Sequence, residues 1–360
     1  MILFTSDWHL QTSGMFARPT ANGLSTRAEE GLDFIRWLKE YVRRMYKQNT
    51  PISAIVHCGD MFTQKSGIAT ALYNTTLDAL GELTEETCVD LYYMPGNHDL
   101  LMKTEAKHFN MYAISKAVDG VFVVDENGVE IKVFETSSLV ELFGVHPPFA
   151  ETDLPPRRSK TARRLLIVHE NIVGGQFESG ALIEKGVSQK DLRAYAKAQS
   201  CDAVFGGDIH QPQKILGKPP IYLVGAPFQF NFGDNPDRGF WLYDPDKNVA
   251  EFQAYPDGPK YLTLTDADIE QGAAVDVPNT YLRLRVSSER GRDLARAISK
   301  DNPNVRLEYS PGQQDNSLAD IGALVSPGEM IRLFVESVPE KTKKEKKELI
   351  TLGNELIEGA

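Results

Sequence analysis

Residues 94–99 read Met94-Pro95-Gly96-Asn97-His98-Asp99 and follow directly on the apolar run Val89 to Tyr93. An apolar run closed by Pro-Gly reads as a buried strand ending in a sharp turn, because proline presets φ and glycine accepts angles other residues avoid. Directly after the turn stand an amide, an imidazole and a carboxylate, three side chains for which a folded core has no use. Asn97 offers a neutral oxygen, His98 titrates near neutral pH, and Asp99 can hold an imidazole in one tautomer. A plain Asx-type turn with a solvated histidine would account for these six residues alone. Against it stands the way four other apolar runs end.

Ile2 to Phe4 leads into Asp7 and His9, Ile52 to Val56 into His57 and Asp60, Leu165 to Val168 into His169, and Ala203 to Phe205 into Asp208 and His210. Between them, Leu32, Phe34, Ile35, Leu38, Tyr41, Val42 and Met45 recur at helical spacing, as do Leu72, Leu77, Leu80 and Leu83. Residues 100–118 and 188–199 read as helices. Val121 to Val124, Val129 to Phe134 and Val140 to Val145 read as strands of a meander. Strands alternating with helices, then antiparallel-looking strands, predict a layered α/β sandwich with mixed sheets. Ligands bind such sheets beyond the carboxyl ends of the strands. Asp7-x-His9 alternates along an extended segment, so both side chains should face one way. Asp60, after a glycine at a strand end, suits a carboxylate that bridges two cations. Oxygen and imidazole donors without thiolate favour Mn²⁺, Fe²⁺, Mg²⁺ or Zn²⁺ over soft metals.

The chain has 360 residues, 41% hydrophobic and 25% charged, which accommodates one large domain and one or two small ones. No apolar run approaches the ~20 residues that cross a bilayer, so no membrane span is expected. Met1-Ile2-Leu3-Phe4 reads as a first core strand and not as a signal peptide. Cys58, Cys88 and Cys201 are odd in number and widely spaced, which suits buried thiols in a reducing, cytoplasmic setting. The net charge of −11 argues against a stand-alone, non-specific DNA binder. Carboxylates around a loaded metal site nonetheless present a cationic centre, and a partner can supply basic surface. Residues 256–279, rich in Pro, Gly and Asp, read as a linker. A β-α-β unit follows at 281–286, 291–300 and 305–309, then a loop at 311–316. Ser326-Pro327 opens a helix to Val338. Residues 340–358 form a lysine-led helix with an apolar stripe of Leu349, Ile350, Leu352, Leu356 and Ile357.

The order Asp-x-His, Gly-Asp, Gly-Asn-His-Asp, His-Glu and Gly-x-x-His resembles the calcineurin-like metallophosphoesterase superfamily over about residues 1–245. The appended β-α-β unit and C-terminal helix make the chain similar to SbcD-type nuclease subunits of SbcCD complexes. Gly225-Ala-Pro-Phe-Gln-Phe-Asn-Phe-Gly-Asp234 and Arg238-Gly-Phe240 are similar to phage-encoded recombination nucleases of that group. The resemblance implies a four-layer α/β/β/α sandwich with mixed sheets as the nuclease domain (1–255) and a linker (256–279). It adds a small β-α-β capping, DNA-binding domain (280–338) and a partner-docking helix (339–360). Asp7, His9, Asp60 and His210 would hold one divalent ion; Asp60, Asn97, His169 and Asp208 would hold the second. Mn²⁺ is the expected metal, with Mg²⁺ the other candidate. His98 would contact the scissile phosphate and protonate the departing oxygen, and Asp99 would orient His98. The implied function is DNA exonuclease and endonuclease activity in repair or recombination. The implied partners are DNA, an SbcC-like coiled-coil ABC ATPase and a second copy of the chain, in the cytoplasm of a cell or a viral host.

Two positions depart from the family. Asp208 stands where a histidine is usual, which hardens the site toward Mn²⁺ or Mg²⁺. Thr63 stands where an acid or histidine is common. A small-phosphodiester or nucleotide hydrolase and a catalytically decayed assembly subunit are the rival readings. Of the remaining candidates, His57 reads as a core histidine, His108 as structural or surface, His146 as a loop residue bordering the site, and Glu170 as a neighbour of His169. Arg157, Arg158, Arg163 and Arg164, with Lys160, are either a solvated loop or a phosphate-contacting DNA patch.

Overall fold

The computed structural model describes residues 1–100, 111–134, 138–272, 279–300, 302–309, 335 and 342–358. Strand β1 (Ile2–Thr5) is buried throughout and pairs in parallel with β2 (Ala54–His57), which continues in parallel to β3 (Leu91–Tyr93) and β4 (Val121–Val123). Helix α1 (Thr26–Lys47) opens on Ser25, whose side chain accepts from the Ala28 N–H. Its buried Ala28, Leu32, Ile35, Leu38 and Val42 recur every three to four residues and pack on this sheet with α2 (Thr70–Thr87) and α3 (Met111–Ala117). His108 lies outside the described residues.

The second sheet contains β5 (Val129–Lys132), β6 (Leu139–Val145), β7 (Arg163–His169), β8 (Ala203–Gly207), β9 (Gln213–Ile215) and β10 (Ile221–Leu223), in the order β5-β6-β7-β8-β10-β9. Strands β6, β7, β8 and β10 are parallel. Helix α4 (Gln189–Ala198) covers its outer face with Leu192, Tyr195 and Ala196. Strands β11 (Gly239–Asp244) and β12 (Val249–Ala254) return to the first sheet, giving it the order β12-β11-β1-β2-β3-β4. An apolar layer fills the space between the sheets, where Phe4 stacks on Phe205 at 3.6 Å between ring centroids. The result is the expected four-layer α/β/β/α sandwich with mixed sheets.

Three local expectations are corrected. Only part of the meander exists: β5 and β6 pair antiparallel, but β4 ends the first sheet, β5 starts the second, and β6 runs parallel to β7. Alternating apolar patterns give strand identity but not the partner. Residues 256–279 are not simply a linker, because they contain β13 (Lys260–Thr265) and α5 (Asp266–Glu270). Strand β13 pairs in parallel with β14 (Thr280–Val286), which pairs in parallel with β15 (Val305–Tyr309). Helix α6 (Glu289–Ser299) covers one face of this third sheet, packing Ala295 and Ile298 on Leu282, Leu284 and Val286. Finally, Cys88 is exposed, at the left-handed end of α2, while Cys58 and Cys201 are buried.

The third sheet is fastened to α1. Arg27, buried, donates to Tyr261 and pairs with Glu30, which also accepts from the Tyr281 hydroxyl. Arg18 donates to Asn304 at 2.7 Å. The last described helix is α7 (Lys343–Glu358), with Leu349 and Leu352 exposed. The helix expected at 326–338 and the loop at 311–316 lie outside the described residues, apart from Val335. No helix among the described residues is long and apolar enough to cross a membrane.

Candidate metal centre

Strands β1, β2 and β3 of one sheet and β7 and β8 of the other all finish at one edge. The Asp7 N–H donates to Gly59 (2.9 Å) and the His9 N–H to Asp60 (3.1 Å), so the loops after β1 and β2 run side by side. His169, the last residue of β7, donates from Nδ1 to the Cys58 carbonyl (2.7 Å), crossing from the second sheet to the first. This leaves its Nε2 as the free ring nitrogen, 3.3 Å from Asp60 and 3.8 Å from Asp208.

The sequence reading expected Asp7 and His9 to share a direction along extended backbone. They do meet, but by another route: both have left-handed backbone, at φ +52° and +44°. Asp60 and Asp208 do the same, at +60° and +80°. Such angles are uncommon away from glycine and gather where function holds the chain against its preference. Gly96 is likewise needed for a different reason from the one expected. A Cβ there would lie 2.2 Å from Asp60 Oδ1, so only a bare backbone lets the turn after β3 approach that carboxylate.

Three overlapping groups have ligand atoms within 4.8 Å of one another: Asp7, His9 and His210; His9, Asp60 and His98; and Asp7, Asp60 and His169. The Nε2 atoms of His9 and His210 face each other at 3.1 Å. Burial is the main force holding both imidazoles neutral, at about 3 for His9 and about 4 for His210. Burial, with Asp60 close by, pushes the Asp7 carboxyl up to about 7. At Asp60 burial also opposes ionisation and is the largest single influence, but the attraction and hydrogen bond of His169, with His9 and the His98 N–H, together outweigh it and hold the group below the usual carboxylate range.

Asn97 donates to Asp208 (3.0 Å), which keeps its carbonyl oxygen turned away from that partner. Asp7 Oδ2, Asn97 Oδ1 and His169 Nε2 are buried without a hydrogen-bond partner among the described residues. Buried donors and acceptors are ordinarily satisfied. Carboxylate, amide and imidazole atoms left open around one point fit divalent cations, and the absence of thiolate suits a hard or borderline ion. Asp7, His9, Asp60, Asn97, His169, Asp208 and His210 are therefore all within one cluster and would hold them.

His98 stands at the same edge. Its N–H donates to Asp60 (2.8 Å), and its Nδ1 meets the Thr63 carbonyl at 2.7 Å. Asp99 does not orient this ring, contrary to expectation. Its Oδ2 accepts from the N–H groups of Asp60 (2.7 Å) and Gly96 (2.9 Å), so it braces the loop that carries Asp60. Burial, with Asp60 adjacent, pushes the Asp99 carboxyl up to about 6. Thr63, whose type departs from the family pattern, aligns His98 with its backbone, a role no side-chain motif reveals.

The arginine patch is also corrected. Arg163 and Arg164 begin the strand that His169 ends, six and five residues or roughly 20 and 17 Å from the cluster. Arg164 is buried, 3.4 Å from Glu141, and lies over the Phe143 ring. Arg163 donates to Pro245 (2.7 Å) and Arg157 to Ala162 and Asp202. Arg158 is exposed but belongs to the same loop, its N–H donating to Glu141 (2.8 Å). The cations of Arg157, Arg163 and Arg164, with the backbone of Arg158, tie a loop to the end of the sheet away from the cluster. His57 is buried in β2, edge-on to Trp8, and burial holds it neutral, at about 3. His146 directly follows β6, and Glu170, next to His169, accepts from the Phe149 N–H (2.6 Å).

Some neighbours escaped the sequence reading. Phe230 is edge-on to the rings of His9 and His210. Arg238, buried, donates to the His210 carbonyl and lies 3.7 Å from Asp234, which accepts from the Phe230 N–H (2.6 Å). An Asp-Arg pair four residues apart, directly after the run Phe228, Phe230 and Phe232, was the available signal.

Three comparisons bear on this arrangement. No curated protein matches the chain. Among solved structures it is similar to TT1561 of Thermus thermophilus, at 13% identity over 70% of this chain and 97% of that one, with a TM-score of 0.40. GAP50, the anchor in the inner membrane complex of Plasmodium, is similar at 10% identity over 85% and 96%, with a TM-score of 0.36. Vacuolar Protein Sorting 29 from Cryptosporidium parvum is similar at 12% identity over 70% and 94%, with a TM-score of 0.29. The family model for Calcineurin-like phosphoesterase matches residues 1–212, which include every residue of the cluster. The chain belongs to the calcineurin-like phosphoesterase family.

Proposed function

We propose that this phosphoesterase is a DNA nuclease subunit of SbcCD type, hydrolysing phosphodiester bonds with two divalent ions, Mn²⁺ by preference. When bound, such ions supply positive charge to the phosphoryl oxygens and to an attacking water. The chain's own part follows from its geometry. The Thr63 carbonyl accepts a hydrogen bond from His98 Nδ1–H, so Nε2 is the nitrogen left to meet the scissile phosphate, and when the ring carries a proton on both nitrogens Nε2–H can give its proton to the departing oxygen. Asp99 keeps Asp60 in place, and Phe230 with Arg238 keeps His210 in place.

One observation favours DNA over a small ester. On the face of the third sheet away from α6, Arg283, Arg285 and Arg306 stand beside Tyr261 and Tyr281. Arg283 lies over the Phe232 ring at 4.7 Å, two residues from Phe230 and hence close to His9. Tyr261 and Tyr281 are buried and Glu308 stands among the arginines, 3.0 Å from Arg285, so it is the surplus of arginine on a face leading to a phosphoesterase site that suits a long polyanion. The net charge of −11 favours the rival, a small phosphodiester. An SbcC-like ATPase on the exposed Leu349 and Leu352 of α7, and a second copy of this chain, complete the proposal.

The test is Mn²⁺-dependent cleavage of linear DNA, with a p-nitrophenyl phosphodiester as competitor. His98→Ala should lower cleavage by about 10²–10⁴-fold, the range for a lost general acid, while metal analysis still finds near two ions per chain. Persisting cleavage removes His98 from this role, and preference for the small ester removes DNA.

A further inference from the structure

We propose that His57 is a positioning residue for the metal centre: its ring nitrogen Nδ1 fixes the two-residue loop Gly59-Asp60 and, through it, the donors Asp7, His9 and Asp60. His57 ends β2, is fully buried and lies on the same face of that strand as Ile55, the face covered by α1. The ring stands edge-on to Trp8, with 4.6 Å between centroids, and beside Tyr93 at 5.2 Å. An apolar side chain would suit these surroundings. An imidazole occupies them instead, with Nε2 buried and unpartnered among the described residues. Its other nitrogen has a task, because Nδ1 accepts from the Gly59 N–H at 3.2 Å.

Gly59 and Asp60 both have positive φ, at +108° and +60°, so neither continues the ladder of β2. Each backbone donor and acceptor of such a buried pair needs a partner from outside it. All four partners are present. The Gly59 carbonyl accepts from the Asp7 N–H (2.9 Å) and the Asp60 carbonyl from the His9 N–H (3.1 Å). The Asp60 N–H donates to Asp99 (2.7 Å), and the Gly59 N–H donates to His57. There is little space for error, since a Cβ at Gly59 would lie 2.3 Å from His169 Nδ1. Without Nδ1 the Gly59 N–H is left buried with no acceptor, and the peptide turns to find one. Asp60, and the loop after β1 that is bonded to it, then turn as well.

The experiment is calorimetric titration of the metal-free full chain with Mn²⁺, with melting temperatures of the metal-free variants measured in parallel. His57→Asn keeps an acceptor, the amide oxygen, near the place of Nδ1, but leaves a gap and a buried amide NH₂. His57→Leu fills the space and offers no acceptor. The metal-free His57→Leu chain should therefore melt at or above the temperature of His57→Asn. Mn²⁺ affinity should rank the other way, with a loss of about 10–100-fold for His57→Leu, the range for a partner lost from behind the ligands, and of about threefold or less for His57→Asn. His57→Leu binding Mn²⁺ as tightly as the unaltered chain overturns the proposal, and so do affinities that follow the order of melting temperatures. Nitrogen-15 NMR of the unaltered chain gives a second reading that needs no variant to fold. A coupling across the hydrogen bond between the Gly59 nitrogen and His57 Nδ1 is expected, and a proton on Nδ1 overturns the proposal. Mn²⁺ bound as expected by a chain that cleaves no DNA ends the nuclease reading and leaves this one standing, because neither measurement involves a substrate.

Discussion

Gly96 has no room for a side chain, and this makes it a direct probe of the cluster. Gly96→Ala would press a methyl group against the Asp60 carboxylate, 2.2 Å from Oδ1. Overpacking of this kind costs about 1–3 kcal/mol. The variant should fold with a lowered melting temperature and retain at least one metal ion fewer per chain by mass spectrometric metal analysis. Full occupancy would show that the turn can move away from Asp60. Arg164 tests the opposite point, that a cation singled out for DNA has a structural task. Arg164→Met leaves Glu141 buried beside it without its countercharge, a change worth about 3–5 kcal/mol. Urea unfolding should register that loss, while cleavage per folded molecule stays within twofold. A selective fall in DNA affinity at unchanged stability would restore the patch.

At the level of elements, the junction between α1 and the third sheet decides how the arginine face is presented. Arg27, Glu30, Tyr261 and Tyr281 form one polar network there. Burial pushes the Glu30 carboxyl above its usual value, with Arg27 opposing that rise. Tyr281→Phe removes one hydrogen bond to this group, which costs about 1–3 kcal/mol when the partner stays buried. If the third sheet aligns DNA, Tyr281→Phe should raise KM for long DNA several-fold, with kcat nearly unchanged and a p-nitrophenyl ester hydrolysed as before. A loss of kcat on the small ester would instead place the junction in the reacting site. The strands themselves were readable from apolar runs and the helices from three-to-four spacing, as in α1 and in α4 with its Ser188 cap. Strand β13 was missed because Pro, Gly and Asp on either side of Tyr261 to Leu264 gave the stretch a loop-like composition.

Across the whole molecule, the cluster joins two sheets that meet mainly through apolar packing, so cations bound there should stabilise the sandwich. At a free metal concentration a hundredfold above Kd, one site adds about 2.7 kcal/mol. Chelation should therefore lower the melting temperature in scanning calorimetry, and Mn²⁺ should restore it. An unchanged melting temperature would mean that the donors do not bind metal in the folded chain. By itself the sequence determined which residues stand at strand ends, since Asp7, Asp60, Asn97, His169 and Asp208 each close an apolar run whose type follows from spacing along the chain. It also determined the layered class, because alternating strands and helices admit few arrangements. Only the tertiary structure decided that Thr63 and not Asp99 holds His98, that Arg163 and Arg164 face away from the cluster, and that β5 and β6 leave the first sheet. Those outcomes depend on strand order and on which loop crosses which edge. Contacts between segments a hundred residues apart are set by packing of the assembled sheets, and no short stretch of sequence carries that information.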